Sequence, residues 1–249
     1  MLSELKILDQ HGKQFIPDIR KAEIPMPFRG LPIINESTVD GNELKSFCPV
    51  GAISAEPVSI DLGKCVFCGD CAHAFPNKIK FTNDHKIAAN TREALIVKEG
   101  SDQPIQLNPD KVREEIKGIF GGSLKLRQVS AGGDNSAEME LGACGNVNFD
   151  MGRFGIEFVA SPRHADGVVV TGPISKNMAG ALRICFDAIP EPKLFILAGT
   201  DAISGGIFTD SPALDRSILD KHKVDLYVPG NPPHPLTFVN GILDLIRSK

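Results

Sequence analysis

The protein has 249 residues, of which 42% are hydrophobic and 23% are charged, and its formal net charge is −4. This length and composition predict a globular chain that buries at least one full core and divides into two domains. The small negative charge and the dispersed basic residues argue against a nucleic-acid partner, and the apolar runs are too short for a direct membrane span, which needs roughly 20 residues.

The first residues, MLSELKILDQHGKQF, contain scattered charges. They lack an apolar core followed by a small-residue cleavage site, so they predict no secretory signal and a cytoplasmic protein. The sequence has six cysteines. In a chain without a signal peptide, cysteines are expected to be reduced thiols or metal ligands and not a disulfide framework.

The first part of the chain, residues 1–95, has Pro, Gly and Asn scattered between short apolar runs and little helical periodicity. This pattern is typical of small domains that a metal group stabilises. Residues 96–122 are predicted to form a connector with one short helix.

From Leu124 onward, short apolar runs alternate with turn signals and amphipathic segments. Runs that are apolar at nearly every position suit strands buried on both faces of a parallel sheet. Such strands are predicted in LKLRQV, IEFVAS, GVVVTG, KLFILAG and DLYVPG. The alternation of strands with helices predicts an α/β layered domain with right-handed crossovers over residues 123–249.

Two helices are predicted within this domain. The first has Ser175 as its N-cap and ends at Pro190. Its predicted buried face consists of Met178, Ala181, Leu182, Cys185 and Ile189. The second runs from about residue 236 to 246, and its predicted buried face consists of Leu236, Val239, Leu243 and Ile246.

Four of the cysteines have the spacing of iron-sulfur ligands. CVFCGDC at 65–71 lets Cys65, Cys68 and Cys71 point inward from one loop onto a cubane. In two-cluster bacterial ferredoxins the fourth ligand is a distant cysteine followed by proline. Cys48, which precedes Pro49, supplies it. We therefore predict one 4Fe-4S cluster bound by these four cysteines. A four-cysteine zinc site is the alternative, although zinc sites favour two separated pairs.

The ligands for a second such cluster are missing. The corresponding positions hold Thr38, Gly41, Leu44 and Phe75. Residues 1–95 therefore look like a small α+β ferredoxin-like domain that has kept one cluster of two. Cys144 and Cys185 lie outside the cysteine run, and both are predicted to be packed as small apolar residues.

The C-terminal half resembles the small iron-sulfur subunit of energy-converting nickel-iron hydrogenases and the homologous twenty-kilodalton-type subunit of respiratory complex I. The resemblance rests on RFGIEFVASPRHADGVVVTGPISKNM at 153–178, IPEPKLFILAG at 189–199, AISGGIF at 202–208 and DLYVPGNPPHPLT at 225–237. It implies a flavodoxin-like parallel sheet layered with helices. FRGLPII at 28–34, with the cysteine run, resembles the polyferredoxin-type subunit of the same complexes. The chain therefore looks like a fusion of two neighbouring electron-transfer subunits.

In that family the C-terminal domain holds a terminal 4Fe-4S cluster. The ligand positions that the resemblance implies are occupied here by Asp134, Ala137, Asp201 and Asn231, with Glu138 retained beside them. Iron-sulfur clusters require soft thiolates, so we expect this site to hold no cluster. It is expected to be filled by polar side chains and water, or else to bind a hard cation such as magnesium or calcium through its oxygens.

The resemblance implies an electron-transfer or docking subunit of a complex I-like or hydrogenase-like membrane complex, and at most a subunit of an oxidoreductase. Its partners would be the hydrogenase large subunit or the forty-nine-kilodalton-like subunit of complex I, together with membrane subunits, on the inner face of the cell membrane. His164 and His234 are expected at the interface with the large subunit. The alternative is a structural or regulatory subunit without redox activity, in which the remaining cluster is structural. We expect the N-terminal cluster to lie too far away to replace the lost one.

Overall fold

A computed structural model describes residues 2–12, 14–101, 103–116 and 122–246. The helices are α1 Leu2–His11, α2 Gly41–Ser46, α3 Asp70–Ala74, α4 Ser136–Ala143, α5 Lys176–Asp187, α6 Thr200–Ser204, α7 Ile218–Lys221 and α8 Pro235–Ile246. The strands are β1 Pro32–Ile34, β2 Ile53–Ala55, β3 Val58–Asp61, β4 Ile79–Phe81, β5 Ile96–Lys98, β6 Leu124–Ser130, β7 Ile156–Phe158, β8 Gly167–Thr171, β9 Leu194–Ala198 and β10 Leu226–Val228. Among these described helices, none has the length and hydropathy of a membrane span.

The predicted parallel sheet is confirmed. Within the described residues it has five strands in the order β10-β9-β8-β6-β7, and every neighbouring pair is parallel. All the strands therefore end at the same edge of the sheet. The loops that follow β6, β8, β9 and β10 meet at this edge, which is where ligand sites form in open α/β sheets.

Helix α5 begins after Ser175 as predicted, although the Ser175 side chain makes no capping hydrogen bond. Its buried face matches the predicted one only in part, because Leu182 and Ile189 are buried as predicted but Met178 is half-buried. The residues that it buries are Ala179, Leu182 and Phe186, while Ala181 is exposed and Cys185 is half-buried. The helix is therefore rotated relative to the predicted face, because Phe186 packs against Phe195 of the sheet with the ring centroids 5.2 Å apart.

Helix α8 is buried on nearly its whole circumference and not on one face as predicted. The sheet covers one side, and the chain segment around Ile19 covers the other. Asn240 in the middle of the helix donates a hydrogen bond to the backbone carbonyl of Ile19 at 3.1 Å. Arg20 donates to Asp244 at 2.5 Å. A buried amide such as that of Asn240 needs a hydrogen-bond partner, and the Ile19 carbonyl supplies one. Together with the Arg20–Asp244 bond, this contact holds the N-terminal segment against α8.

The N-terminal part forms antiparallel pairs of short strands. β1 pairs with β4, and β3 pairs with both β2 and β5. The last of these strands, Ile96–Lys98, lies within the range predicted as a connector. The described residues of that range contain a 3-10 turn at Pro109–Lys111 and no α-helix, while 102 and 117–121 lie outside the described residues.

The N-terminal part and the sheet share one hydrophobic core. Leu44, Ile60 and Ile79 of the N-terminal part belong to the same buried cluster as Val168 and Phe195 of the sheet. The other sheet face packs against α8 in a second cluster. The N-terminal part is therefore one of the layers that bury the sheet.

A buried ion pair connects the segment before β6 to the sheet. Arg113 binds both carboxylate oxygens of Asp225, with nitrogen–oxygen distances of 2.8 and 3.0 Å. The backbone N–H of Phe195 also donates to Asp225 at 2.9 Å. The Asp225 residue is 5% exposed, so these donors replace the hydrogen bonds that water would otherwise make to its carboxylate.

We expect Asp225→Ala to lower the free energy of unfolding by about 3 kcal/mol, because it leaves a guanidinium and a buried N–H without their acceptor. Urea unfolding followed by circular dichroism measures the change. The exposed Asp110→Ala is the matched control, with an expected change within about 0.5 kcal/mol. A loss from Asp225→Ala as small as that of the control would contradict the prediction.

Candidate functional site

The four cysteines predicted as cluster ligands line a single cavity. Cys48 follows α2, Cys65 and Cys68 lie on the loop between β3 and α3, and Cys71 lies in α3. Cys65 and Cys71 are buried, Cys48 is half-buried and Cys68 is exposed. The fold therefore brings Cys48 to the tight triplet, although strands β2 and β3 separate it from Cys65 along the chain.

The cysteine loop is shaped by its backbone. Phe67 has φ +53°, an uncommon value for a non-glycine residue, and Gly69 has φ +86°. The N–H of Phe67 points to the Cys65 sulfur at 3.3 Å, and the N–H of Ala52 points to the Cys48 sulfur at 3.1 Å. Hydrogen bonds to ligand sulfurs help to set the reduction potential of iron-sulfur clusters. The strained turn thus places donors where thiolates would need them.

Two of the thiols have strongly shifted acidities. Burial raises the pKa of Cys65 to about 12, and the neighbouring cysteines add to the shift. Burial likewise raises the pKa of Cys71 to about 11, with contributions from Cys68 and Cys48. Without a metal these two groups are neutral thiols at pH 7. A coordinating metal deprotonates thiols outright, so thiolates in this cavity would require a bound metal group.

No group of three or more His, Cys, Asp or Glu side chains in the described part of the chain is arranged to hold a metal ion. A tetrahedral zinc site would bring four thiolates within about 4 Å of one another. A 4Fe-4S cluster distributes its four ligands over separate iron atoms. Iron and sulfide content therefore distinguishes these alternatives.

The second predicted site lies at the carboxyl edge of the parallel sheet. Asp134, Ala137, Asp201 and Asn231 line one small cavity together with Glu138. They come from the loop after β6, from α4, from α6 and from the loop after β10. Gly172, at φ +76°, packs closely against Gly133 at this edge. A Cβ on residue 172 would lie 2.4 Å from the Gly133 nitrogen, so the close approach requires glycine. The structure thus brings together every residue that the family resemblance assigned to the terminal cluster.

Two carboxylates of this site, those of Asp134 and Glu138, have protein donors. Asp134 accepts hydrogen bonds from the Ser136 N–H and hydroxyl at 2.9 and 2.6 Å. Glu138 accepts one from the Thr171 hydroxyl at 2.6 Å. Burial raises the pKa of Asp201, and the charges of Asp134 and Glu138 raise it further, while Arg216 opposes the shift. This network supports the expectation of a polar-filled site.

One residue joins the two sites. The Thr200 hydroxyl donates to the Cys65 backbone carbonyl at 2.8 Å. The Thr200 N–H donates to the Gly230 carbonyl at 2.9 Å. Thr200 precedes Asp201, and Gly230 precedes Asn231. The cysteine loop therefore contacts a residue that also lines the cavity of Asp134, Ala137, Asp201 and Asn231.

Sequence reasoning missed two arginines, one at the cysteine loop and one at α6. Arg29 lies across Gly69 and donates through Nε to the Phe67 carbonyl at 2.5 Å. Arg216 donates to the carbonyls of Asp201, Ala202 and Ile203. Neither residue has a motif of its own. The available signal for Arg29 was its position in FRGLPII, the segment that carries the resemblance of the N-terminal part.

The remaining candidates have mainly structural surroundings. Cys144 is buried, and burial raises its pKa to about 12. Cys185 is half-buried against the core as a partly apolar side chain. His164 is exposed, but His234 packs between the rings of Phe28 and Phe149 inside the chain. His234 therefore stabilises the fold, whatever it contributes to an interface.

His234 provides a test by pH. Burial lowers its pKa to about 4 from the usual 6.5, so the unfolded chain binds a proton that the folded chain excludes between these values. Stability from this group is present above pH 6.5 and is lost as the pH falls towards 4. Its Nδ1 accepts from the Leu236 N–H at 3.1 Å, a capping role that asparagine can take over.

We therefore expect His234→Asn to lose less stability between pH 7 and pH 4.5 than the unchanged protein does. Urea unfolding at the two pH values measures the difference, and His164→Asn is the exposed control. An identical pH dependence in the His234→Asn protein would contradict the assignment.

Comparison with known proteins places the C-terminal half in a family. The family model described as the 20 kDa subunit of NADH ubiquinone oxidoreductase matches residues 135–245. An NADH-quinone oxidoreductase subunit of Desulfovibrio desulfuricans is 44% identical over 107 residues, which are 43% of this chain and 58% of that relative. The corresponding protein of Clostridium beijerinckii is 42% identical and is covered to 64%. The chain thus spans less than two thirds of the length of these relatives.

The probable membrane-bound hydrogenase subunit mbhJ of Pyrococcus furiosus is 35% identical over 129 residues, which are 50% of this chain and 75% of that relative. A chain in the structure of a membrane-bound sulfane sulfur reductase, an archaeal respiratory membrane complex, is 25% identical, with 51% of this chain and 72% of that chain covered at a TM-score of 0.45. The match to three quarters of mbhJ, together with the family model, shows that this chain belongs to the family of the complex I 20 kDa subunit.

Proposed function

We propose that this protein is an electron-transfer or docking subunit of a complex I-like or energy-converting hydrogenase-like membrane complex. It would hold one 4Fe-4S cluster through Cys48, Cys65, Cys68 and Cys71. The observation that carries the proposal is that these cysteines line one cavity, whereas the former terminal site contains no thiol. When bound, such a cluster would accept and release single electrons.

The residues around the cysteines fit the cluster. Four thiolates are a complete ligand set for a 4Fe-4S cluster. The N–H groups of Phe67 and Ala52 would stabilise negative charge on two sulfurs. Apolar side chains, including Ile60 and Phe81, line the cavity and would keep water from the inner sulfurs. Solvent exclusion and hydrogen bonding are the means by which proteins adjust cluster potentials.

The names of the relatives suggest the kind of complex in which this protein would work. We propose a large subunit of the hydrogenase type or of the forty-nine-kilodalton-like complex I type, with membrane subunits beneath it. The protein itself would be peripheral on the inner face of the cell membrane. Relatives named as subunits of quinone oxidoreductases and of a membrane-bound hydrogenase support this assignment.

A specific observation favours the second candidate, a structural or regulatory subunit without redox activity. The site that would complete the electron path has oxygen and methyl groups in place of sulfur, and the carboxylates of Asp134 and Glu138 accept hydrogen bonds within the chain. In that case the remaining cluster would stabilise the N-terminal part. Reversible one-electron reduction of the cluster by the purified complex favours the first candidate, and a cluster that stays oxidised during turnover favours the second.

Iron and sulfide analysis with electron paramagnetic resonance tests the cluster assignment. We expect about four irons and four sulfides per chain, and one paramagnetic signal after reduction with dithionite. About eight irons would mean that the C-terminal site is also occupied. One zinc per chain without sulfide would favour the zinc alternative and overturn the proposal.

A further inference from the structure

The side chain of Arg29 crosses the loop that carries Cys65 and Cys68. Its Nε donates a hydrogen bond to the backbone carbonyl of Phe67 at 2.5 Å. Its Cδ lies so close to Gly69 that a Cβ on that glycine would be 3.1 Å away. Phe67 and Gly69 are the two neighbours of Cys68 in the chain. Arg29 therefore contacts the loop on both sides of this cysteine, and the two residues line one cavity.

This contact helps to orient the peptide groups of the loop. The N–H of Phe67 points to the Cys65 sulfur at 3.3 Å, while the Phe67 carbonyl accepts from Arg29. Phe67 has φ +53°, a conformation that non-glycine residues keep where their surroundings impose it. Its ring packs against Phe81 with the centroids 6.1 Å apart. Arg29 holds the backbone of Phe67 and Phe81 holds its ring, so the N–H stays directed at sulfur.

The positive charge of Arg29 is available to the loop. Within the described residues, the bond to Phe67 is its one hydrogen bond, and no carboxylate forms an ion pair with it. A guanidinium carries several N–H donors, so the others stay open to nearby acceptors or to water. A second arginine, Arg92, touches the same loop at Gly63. Arg92 is paired with both carboxylate oxygens of Asp61, at 2.7 and 2.6 Å, so of the two arginines it is Arg29 that brings an uncompensated cation.

A cation at this place favours reduction. An added electron makes the cysteine site more negative, so a neighbouring positive charge stabilises the reduced form more than the oxidised form. Net charge, hydrogen bonds to sulfur and solvent exposure set the potentials of iron-sulfur clusters. Cys68 is exposed, whereas Cys65 and Cys71 are buried. Arg29 therefore lies beside the exposed ligand position, where water would otherwise be the main source of compensation.

We propose that Arg29 positions the cysteine loop and raises the reduction potential of the cluster that the loop would hold. The inference rests on the proposed 4Fe-4S cluster and assigns a role to a residue outside its ligand set. Through Nε, Arg29 holds the Phe67 carbonyl, and through its charge it stabilises the reduced site at Cys68. It is a positioning residue and not a ligand.

Redox titration of the purified full-length protein, followed by electron paramagnetic resonance, tests the role of the charge. The reference point is the potential at which the unchanged protein is half reduced. There we expect Arg29→Gln to lower the ratio of reduced to oxidised cluster about tenfold, which is about 59 mV for one electron. Arg29→Lys keeps the charge and should stay within about twofold of the unchanged protein. In about 1 M salt, where the screening length is about 3 Å, the effect of Arg29→Gln should shrink.

Release of iron to a chelator tests the positioning role. Arg29→Gln should release its iron about tenfold faster than the unchanged protein, because the loop has lost the bond to the Phe67 carbonyl. Lys64→Gln is the matched control, since it removes a positive charge from an exposed position just before Cys65. The control should keep both the potential and the release rate.

The proposed cluster and this inference fail in different ways. Absence of iron and sulfide from the unchanged protein would overturn the cluster, and the inference with it. About four irons in every variant, with equal potentials in the unchanged and Arg29→Gln proteins, would overturn the inference alone. An equal shift in Lys64→Gln would also overturn it, because the potential would then follow the net charge of the loop. Loss of iron from Arg29→Gln with full iron in Arg29→Lys would support it, because the loop would then need its cation.

Discussion

Replacing Cys65 with serine should reduce the iron content from about four atoms per chain to near zero. Cys65 is buried, and burial raises its pKa to about 12. Its sulfur accepts the Phe67 N–H, and its carbonyl accepts the Thr200 hydroxyl. A serine hydroxyl is a hard, weakly acidic ligand that does not replace a thiolate on iron. Iron and sulfide analysis with visible absorption measures the loss.

Cys185→Ser is the matched control for this substitution. Cys185 is half-buried on α5 and lies outside the cavity that the four cysteines line. Its substitution should leave iron, sulfide and absorption unchanged. Full iron content in the Cys65→Ser protein, or an equal loss in the control, would remove the basis for assigning the cluster to the cysteine loop.

The second large effect is a gain of iron. Substituting cysteine for Asp134, Ala137, Asp201 and Asn231 together should raise the iron content from about four to about eight atoms per chain. The four positions already line one cavity at the carboxyl edge of the sheet. The substitutions restore soft ligands at positions that the family resemblance assigns to a cluster. Reconstitution with iron and sulfide, followed by metal analysis and paramagnetic resonance, measures the gain.

The double variant with only Asp134→Cys and Ala137→Cys is the control, because two thiolates do not complete a ligand set. Its iron content should remain near four. If the fourfold variant also remained near four while its fold was intact, the backbone of this edge would no longer have the geometry of a cluster site. The loss of the site would then have involved more than its ligands.

The strands of the parallel sheet could be predicted because burial on both faces leaves a direct mark in the sequence. Val168, Val169 and Val170 are all fully buried, and such runs fit a central parallel strand. The face of α5 was harder to predict, because Ala181 and Ala179 are equally apolar and only packing against Phe195 selects between them. The burial of α8 on all sides depends on Ile19, at the other end of the chain, which periodicity within the helix cannot reveal.

In the candidate sites, too, local sequence patterns could be predicted and contacts between distant segments could not. Thiol spacing predicted that Cys65, Cys68 and Cys71 would lie together, because C-x-x-C-x-x-C keeps them on one loop, and these three residues line one cavity. The assignment of Asp134, Asp201 and Asn231 to one place came from a family resemblance, and the structure brings them together. The contact between Thr200 and Cys65 joins distant parts of the sequence and leaves no local pattern. Relations of this kind depend on tertiary packing, which a motif does not encode.

The position of both candidate sites in one polypeptide with a shared core determines how they assemble. The cysteine loop and the sheet edge belong to one polypeptide, so they are always present in equal numbers. Leu44 and Ile79 are buried in the same cluster as Val168 and Phe195, which keeps the two regions at a very high effective concentration. No association equilibrium separates them, and dilution does not affect their contact. In an arrangement of separate polypeptides, by contrast, the same surfaces would assemble only above their dissociation constant.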